Sequence, residues 1–412
     1  MIGLIPVEHW DYALRDALRG FADACHVEAF APAIDLPDVR NCVSVRSGRA
    51  AVVLALRALR LPAGSKVAVP LFCCSVVFKA IRAADCEPCF IETDASTLCM
   101  SAADLRRKRH GVKAVIAVHT YGRICDIPSL LTAAPGVPLI EDCAQALGSR
   151  ADGRPAGTFG TIGIFSFRSG KYLSVGEGAA IYTADPLLRD RVAQDNAQLP
   201  APGRTTEFVH VAKTWLRSSL RRRPLYGMIG HRLWTLYNSR TDSVDKAAIE
   251  LSRPFQTDRN MIDRRLKQLA SMIATHRANA ALYEQILLTP PAFLRRQPAN
   301  AFYNHYLFPL IFPSQQHRDA VAHYLYKNRI DTIKHLNDIT DVATSAYGYR
   351  GDCPTSELLA KSALLLPTHS ALAGAEIRRI AACVNCAWRE VAPADPPTAR
   401  ESASDQAQIA IH

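Results

Sequence analysis

A lysine after a strand-like run is the first residue whose setting suggests chemistry. Lys171 ends the run Phe165-Ser166-Phe167-Arg168-Ser169-Gly170-Lys171. An amine at the edge of a pocket has a lowered pKa when it is desolvated or lies near other cations, and the neutral amine attacks aldehydes. Isolated lysines are usually solvent-exposed, so this interpretation depends on the residues that accompany Lys171.

A pair of acids, Glu141 and Asp142, follows a second buried strand-like run. Ligands of open α/β sheets bind at the carboxyl ends of strands, which places Asp142 well for a site. A carboxylate beside a pyridine nitrogen keeps the ring protonated and electron-withdrawing, as the chemistry of pyridoxal phosphate requires. Taken alone, Asp142 fits a helix N-cap with a surface acid equally well.

Ser47-Gly48-Arg49 precedes a strongly helical stretch and could bind an anion. The first backbone N–H groups of a helix have no partner within it, and phosphate is their usual guest. A serine and a glycine at this position more often form only a cap. The presence of Lys171 and Asp142 therefore supports the interpretation of this motif as a phosphate site.

Other chemistries fit the sequence less well. A nucleotide-binding P-loop at Ser169-Gly170-Lys171 does not fit, because six residues separate Gly163 from Gly170 where the motif has four, and Tyr172 replaces the required Ser or Thr. The Cys-x-x-Cys pair at 383 and 386 is half of a zinc or redox motif without a second half. We therefore predict no metal.

These residues lie in a stretch, 41–185, where short apolar β-rich runs alternate with helix-like segments, as in a doubly wound, largely parallel α/β sheet. The predicted strands are 67–70, 88–91, 114–118, 138–141, 162–167 and 179–182. The predicted helices are 50–61, 75–84, 102–109 and 127–133.

The rest of the chain has a different pattern. A long helical pattern covers 258–287, a strand-like run 306–312 and a helix-like run 316–327. We predict a large domain over 1–252 with an N-terminal segment and a basic insert near 213–234, and a small α+β domain over 253–391. Residues 392–412 have little to bury and are predicted to be a disordered tail.

Composition indicates where the protein is located and in what state its cysteines are. The 412 residues carry a net charge of +11, and no apolar run is long enough to span a bilayer. The N-terminus does not resemble an export signal, so we expect a cytoplasmic location. The twelve cysteines are scattered through apolar runs and are expected to be free thiols.

Basic residues are concentrated in the insert, around Arg221-Arg222-Arg223. Two interpretations remain open: a solvated helix with a packed apolar side, or contact with an anionic partner or the surface of the inner membrane. We predict no nucleic-acid partner.

The order of motifs over about 41–390 resembles the DegT/DnrJ/EryC1/StrS aminotransferases. The most specific motifs are Ser47-Gly48-Arg49-Ala50-Ala51, Val69-Pro70, Val118-His119-Thr120-Tyr121-Gly122, Glu141-Asp142-Cys143-Ala144-Gln145, Gly157-Thr158-Phe159-Gly160 and Phe165-Ser166-Phe167 with Lys171. The resemblance implies a fold-type I, aspartate-aminotransferase-like enzyme with pyridoxal phosphate as cofactor. Its large domain has a mostly parallel sheet, and its C-terminal domain is a smaller α+β unit.

The resemblance also implies a role for each matching residue. Lys171 would form the Schiff base with the cofactor and later move the proton, and Asp142 would pair with the ring nitrogen. Gln145 would lie near the phenolic oxygen. The phosphate would be held by Ser166 together with Ser47, Gly48 and Arg49, and the substrate would be contacted by His119, Tyr121 and His305.

Three positions depart from the family pattern. Arg49 replaces a threonine, so a guanidinium would stand where a hydroxyl usually meets the phosphate. The aromatic residue that stacks on the cofactor is replaced by a segment in which Phe72 could serve, although Cys74 occupies the matching position. The asparagine that reaches the phosphate from the partner subunit has no clear counterpart near Asn260.

The resemblance implies a homodimer that transfers an amino group from an amino acid, L-glutamate, to an anionic keto-sugar linked to a nucleotide, for glycan, polysaccharide or natural-product synthesis. Two alternatives remain. Some relatives dehydrate their sugar, but they replace the lysine with histidine, which Lys171 argues against. A non-catalytic or regulatory member would explain the altered stacking and phosphate positions.

Overall fold

The computed structural model describes residues 3–26, 33–240, 249–288 and 297–391. The predicted tail at 392–412 lies outside the described residues. Because the structure includes the basic insert and both sequence regions that flank it, it shows how the insert meets the rest of the chain.

The strands are β1 (Ala33–Leu36), β2 (Val39–Val45), β3 (Ser65–Pro70), β4 (Cys86–Ile91), β5 (Val112–Val118), β6 (Leu139–Asp142), β7 (Arg150–Ala151), β8 (Arg154–Pro155), β9 (Ile162–Ser166), β10 (Ala179–Tyr182), β11 (Ala301–Phe302), β12 (Phe308–Ile311) and β13 (Ala363–Leu366). The helices are α1 (Leu14–Cys25), α2 (Gly48–Ala58), α3 (Ser75–Ala83), α4 (Ala102–Lys108), α5 (Ile127–Ala133), α6 (Pro186–Ala197), α7 (Arg204–Leu220), α8 (His231–Arg240), α9 (Gln256–Leu266), α10 (Leu269–Ile286), α11 (Gln315–Lys327), α12 (Ile339–Tyr347), α13 (Pro354–Ser362) and α14 (Gly374–Val391).

An eight-stranded sheet in the order β1-β2-β10-β9-β6-β5-β3-β4 forms the centre of the molecule. Strands β4, β3, β5, β6 and β9 are parallel, whereas β10 is antiparallel to both β9 and β2. The mostly parallel α/β sheet and the fold class are as predicted. The long pattern at 258–287 forms two helices, α9 and α10, separated at Lys267 and Gln268.

The parallel direction explains how distant motifs meet. Strands β3, β5, β6 and β9 all end at the same edge of the sheet, and β2 runs in the same direction as β9 because both pair antiparallel with β10. The segments that follow these strands therefore converge at one edge, where ligands of such sheets bind.

A second apolar core lies in the C-terminal part of the chain. It is formed by residues of α10, α11, α14, β12 and β13, and Ile5 from the N-terminal segment joins it. The domain boundary at residue 252 stays a prediction. None of the helices in the described ranges is long and apolar enough to cross a membrane.

Candidate functional site

A cavity of about 190 Å³ lies at the edge of the sheet where the strands end. It brings together all of the residues that the resemblance assigned to the cofactor, from segments that are up to 124 positions apart in sequence. They are Ser47, Gly48, Arg49, Phe72, Cys74, Asp142, Gln145, Ser166 and Lys171. Convergence of these residue types in one cavity is what a cofactor with a phosphate and an aldehyde requires.

One end of the cavity is formed by the start of α2. Ser47 has an extended backbone and caps the helix, with its hydroxyl accepting the N–H of Ala50 at 3.3 Å. A Cβ atom placed on Gly48 would lie 3.2 Å from both the Cβ and the Oγ of Ser166. The missing side chain therefore leaves space between the helix amides and the Ser166 hydroxyl, a combination of donors that fits a phosphate.

Lys171 lies in the loop between β9 and β10 and is partly buried. Two hydrogen bonds shape the loop: the N–H of Lys171 donates to the Arg168 carbonyl (2.8 Å), and that of Gly170 donates to the Ser174 hydroxyl (3.2 Å). Burial lowers the pKa of Lys171, and the charge of Arg168 lowers it further, against the opposing effect of Asp142. Because the pKa is lowered, a larger fraction of the Lys171 amine is neutral, and the neutral amine is the form that reacts with a carbonyl.

Asp142 is the last residue of β6, and its carboxylate accepts the N–H of Ala144 at 2.9 Å. Burial raises the pKa of Asp142, although that N–H group and the positive charge of Lys171 partly oppose the shift. A buried carboxylate with a raised pKa is stabilised in its charged form when a cation comes beside it. A protonated ring nitrogen would be such a cation.

Glu141 points to the other face of the strand and holds a different set of groups. Its fully buried carboxylate accepts bonds from His119 Nε2 (2.9 Å) and from the N–H groups of Gly157 (2.9 Å) and Gly160 (2.6 Å). Burial raises the pKa of Glu141, but these hydrogen bonds outweigh burial and the pKa is lowered. The carboxylate thus fixes the 157–160 loop behind the cavity.

His119 is fully buried and belongs to this network. Its Nδ1 accepts the N–H of Cys125 at 3.0 Å, so Nε2 carries the hydrogen that is donated to Glu141. In the described part of the chain, His119, Glu141 and Cys143 are the one group of three side chains close enough to share a metal ion. The hydrogen bonds of His119 and Glu141 account for their arrangement without one. Both nitrogens of His119 are therefore engaged, and His119 is not among the residues that line the cavity. Its contact with the substrate stays a prediction.

Gln145 lines the cavity and is bonded to Tyr121, which lies outside its lining. The Gln145 Oε1 atom accepts the Tyr121 N–H at 2.6 Å, and the Tyr121 hydroxyl lies 3.0 Å from His335 Nδ1. His305 lies against a separate, smaller cavity that Tyr121 also lines. The structure therefore does not place His305 beside Lys171.

Two further residues of the cavity were missed by the sequence analysis, namely His335 and Arg168. Burial lowers the pKa of His335 to about 3, so its ring is neutral near pH 7. No motif surrounds His335, and only the folding of the C-terminal part of the chain, which brings it to the Tyr121 hydroxyl, could reveal it. Arg168 lies within the lysine motif, so its position next to Lys171 was the available signal.

The family model described as the DegT/DnrJ/EryC1/StrS aminotransferase family matches residues 21–213 and 259–385. This match covers most of the chain and includes every residue that lines the cavity. This chain belongs to the DegT/DnrJ/EryC1/StrS aminotransferase family. It is a pyridoxal-phosphate-dependent aminotransferase, as the resemblance implied.

Several family members resemble the chain over most of its length. GDP-perosamine synthase of Vibrio cholerae is 26% identical over 84% of this chain and 86% of its own. A UDP-N-acetyl-3-dehydro-alpha-D-glucosamine 3-aminotransferase of Acidithiobacillus ferrooxidans is 28% identical over 85% of each chain. Among solved structures, the aminotransferase TlmJ from Streptoalloteichus hindustanus shares the fold, with a TM-score of 0.68 and 24% identity over 93% of each chain.

The family match has one gap, residues 214–258. This gap contains most of the basic insert. The cofactor cavity lies in the matched parts, so the insert is a feature of this chain that the family chemistry does not explain.

Proposed function

We propose that this aminotransferase moves the amino group of L-glutamate to the keto carbon of a nucleotide-linked sugar, and that Lys171 carries the cofactor. The observation that carries the proposal is the single cavity in which the Lys171 amine, the Asp142 carboxylate and the cradle between Gly48 and Ser166 meet. Each of these groups matches one part of pyridoxal phosphate.

When bound, the cofactor supplies an aldehyde and an electron-withdrawing ring. We assign Lys171 to hold the aldehyde carbon and then to move the proton at the substrate carbon, since burial lowers its pKa. Asp142 would keep the ring nitrogen protonated. The α2 amides, Ser47 and Ser166 would bind the phosphate, with the Arg49 guanidinium in place of the hydroxyl found in relatives.

Gln145 would position the cofactor's phenolic oxygen. Its Oε1 atom is held by the Tyr121 N–H, which fixes the orientation of the amide and leaves the NH₂ group as donor. Phe72 and Cys74 both line the cavity, and each is a candidate for contact with the ring. We also propose that the enzyme is a homodimer, which would allow a partner to complete the phosphate contacts.

The names of relatives support this substrate class and also suggest a second donor. Two relatives are named for GDP- or UDP-linked sugars. An L-glutamine:2-deoxy-scyllo-inosose aminotransferase of Streptomyces kanamyceticus is 36% identical over 38% of this chain. L-Glutamine is therefore the donor to compare with L-glutamate.

The test is an absorbance titration of the protein with pyridoxal phosphate. We expect a visible band from the lysine-bound cofactor that is absent in Lys171→Ala and present in Lys66→Ala, a matched change at an exposed lysine of β3. The band should fade when L-glutamate or L-glutamine is added and return when a GDP- or UDP-linked 4-keto or 3-keto sugar is supplied. A band that no amino donor discharges would contradict the proposal and favour a non-catalytic member.

A further inference from the structure

The insert outside the family match exposes an unusual number of apolar side chains. Leu216 on α7 is 55% exposed. The helical stretch that follows, 225–240, exposes five more large apolar side chains to between 41% and 53%, namely Leu225, Met228, Ile229, Leu233 and Leu236. We call these six residues the apolar patch. An exposed apolar patch of this kind indicates a surface that binds another protein or a membrane.

The spacing of the other five patch residues places them on one face of the helical stretch 225–240. Residues 225, 228, 229, 233 and 236 recur at three- and four-residue steps, whereas Tyr226, Gly227 and Gly230 between them are buried against the protein. The stretch thus has two apolar faces. One packs on the protein, and the patch faces solvent.

The three consecutive arginines of the insert are engaged by other parts of the chain, although only Arg221 is buried. Arg221 is 6% exposed, and its guanidinium lies 4.8 Å from the centre of the Trp10 ring. Arg222 pairs with Asp11 at 3.2 Å, and Arg223 pairs with Glu376 on α14. These contacts attach the insert to the N-terminal segment and to α14, so the arginines cannot be its main contact with an external partner.

Other basic residues remain available beside the patch. Lys213, Arg217 and Arg232 are exposed, and residues 208–240 contain no Asp or Glu. An exposed apolar stripe accompanied by cations and free of acids matches helices that lie in the interface of an anionic bilayer. A second copy of the chain fits less well, because the patch lies outside the part that the family shares and a positive surface repels its own copy.

We propose that the apolar patch docks the enzyme on the surface of an anionic phospholipid bilayer. The apolar side chains enter the boundary between head groups and acyl chains, while Lys213, Arg217 and Arg232 contact the head groups. No segment crosses the membrane in this arrangement. The proposal does not depend on the assigned acceptor, because it concerns a surface separate from the cofactor cavity.

The experiment is sedimentation of the cofactor-loaded full chain with vesicles of phosphatidylcholine alone or of phosphatidylcholine and phosphatidylglycerol in equal parts. We expect binding to the anionic vesicles, with weaker binding at high salt. The variant Leu225→Asp/Ile229→Asp/Leu233→Asp should bind at least about tenfold more weakly, because each change removes an inserted apolar side chain and adds a repelled charge.

The matched control is Leu187→Asp/Leu358→Asp, which places acids at two exposed leucines outside the insert and should bind as the wild type does. The cofactor band of each variant reports folding independently of lipid. Wild-type protein that stays in solution with anionic vesicles, or a patch variant that binds like the control, would overturn the proposal. So would a patch variant that dissociates into smaller species without vesicles, since the patch would then be a subunit interface.

Discussion

Gly48→Ala should weaken cofactor binding without destabilising the protein. The new Cβ would lie 3.2 Å from the Cβ and Oγ atoms of Ser166, closer than ordinary van der Waals contact. It would occupy the space between the first amides of α2 and the Ser166 hydroxyl, where we place the phosphate. A Cβ that intrudes on the bound phosphate would cost about 1–3 kcal/mol of binding free energy, which weakens cofactor binding roughly 5- to 150-fold.

Gly48→Ala should slightly stabilise α2 even though it weakens cofactor binding. Gly48 is the first residue of α2 and does not have a positive φ, so alanine fits its backbone. Alanine is favoured over glycine by up to about 1 kcal/mol in helices, and less at the first position. The thermal midpoint of the cofactor-free protein should therefore stay within a few degrees of wild type, whereas the dissociation constant for pyridoxal phosphate rises.

Absorbance titration with pyridoxal phosphate and thermal unfolding of the cofactor-free protein separate these effects. Gly203→Ala is the matched control, because Gly203 precedes α7 with a negative φ and a Cβ there would meet no atom closer than 4.0 Å. If Gly48→Ala bound the cofactor as tightly as Gly203→Ala does, the space beside Ser166 would not be the phosphate site, and the assignment of α2 would fail.

Three further predictions concern buried charges. Glu141→Gln should lower the free energy of unfolding by about 1–3 kcal/mol in urea titrations, because the amide NH₂ group would face the N–H donors of His119 and of the glycine loop. An unchanged free energy of unfolding would contradict the proposed network. Asp142→Asn should still bind the cofactor but slow its discharge by the amino donor roughly a hundredfold in stopped-flow absorbance, and a near-normal rate would remove Asp142 from its assigned role. Burial lowers the pKa of His335 and of His369 to about 3, below the value near 6.5 expected in the unfolded chain, so the unfolded state binds more protons between these values. The free energy of unfolding should be highest above about pH 6.5 and should fall as the pH drops toward 3, by about 2–3 kcal/mol per histidine at pH ~4.5. In His369→Gln this free energy should fall less with pH than in the wild type.

Much of the cofactor cavity could be predicted because its chemistry is local in sequence. Each parallel strand ends in a short motif that supplies one or two of the cavity's groups, such as Asp142 after β6 and Ser166 at the end of β9. Parallel strands place such motifs at one edge whatever the detailed packing is. The motifs, read through their resemblance to the family, were therefore sufficient to predict which side chains meet.

The side chains around the cavity that do not belong to these motifs were harder to predict. His119 lies next to a strand end, yet its ring turns to the opposite side and is satisfied by Glu141 and Cys125. His335 has no motif, yet it enters the cavity from the C-terminal part of the chain. Motif spacing does not encode the direction of a side chain at a strand end or the approach of a distant segment.

The sequence by itself determined the α/β class and the basic, acid-free composition of the insert, because these follow from residue types and short-range periodicity. It indicated the cofactor through the resemblance of its motifs to those of the family. Only the tertiary structure decided which way the insert faces. Arg221, Arg222 and Arg223 are engaged within the protein because their partners, Trp10, Asp11 and Glu376, are brought to them from positions more than 150 residues away. With the cations engaged there, the leucines and isoleucine of the same segment are left on the outer surface.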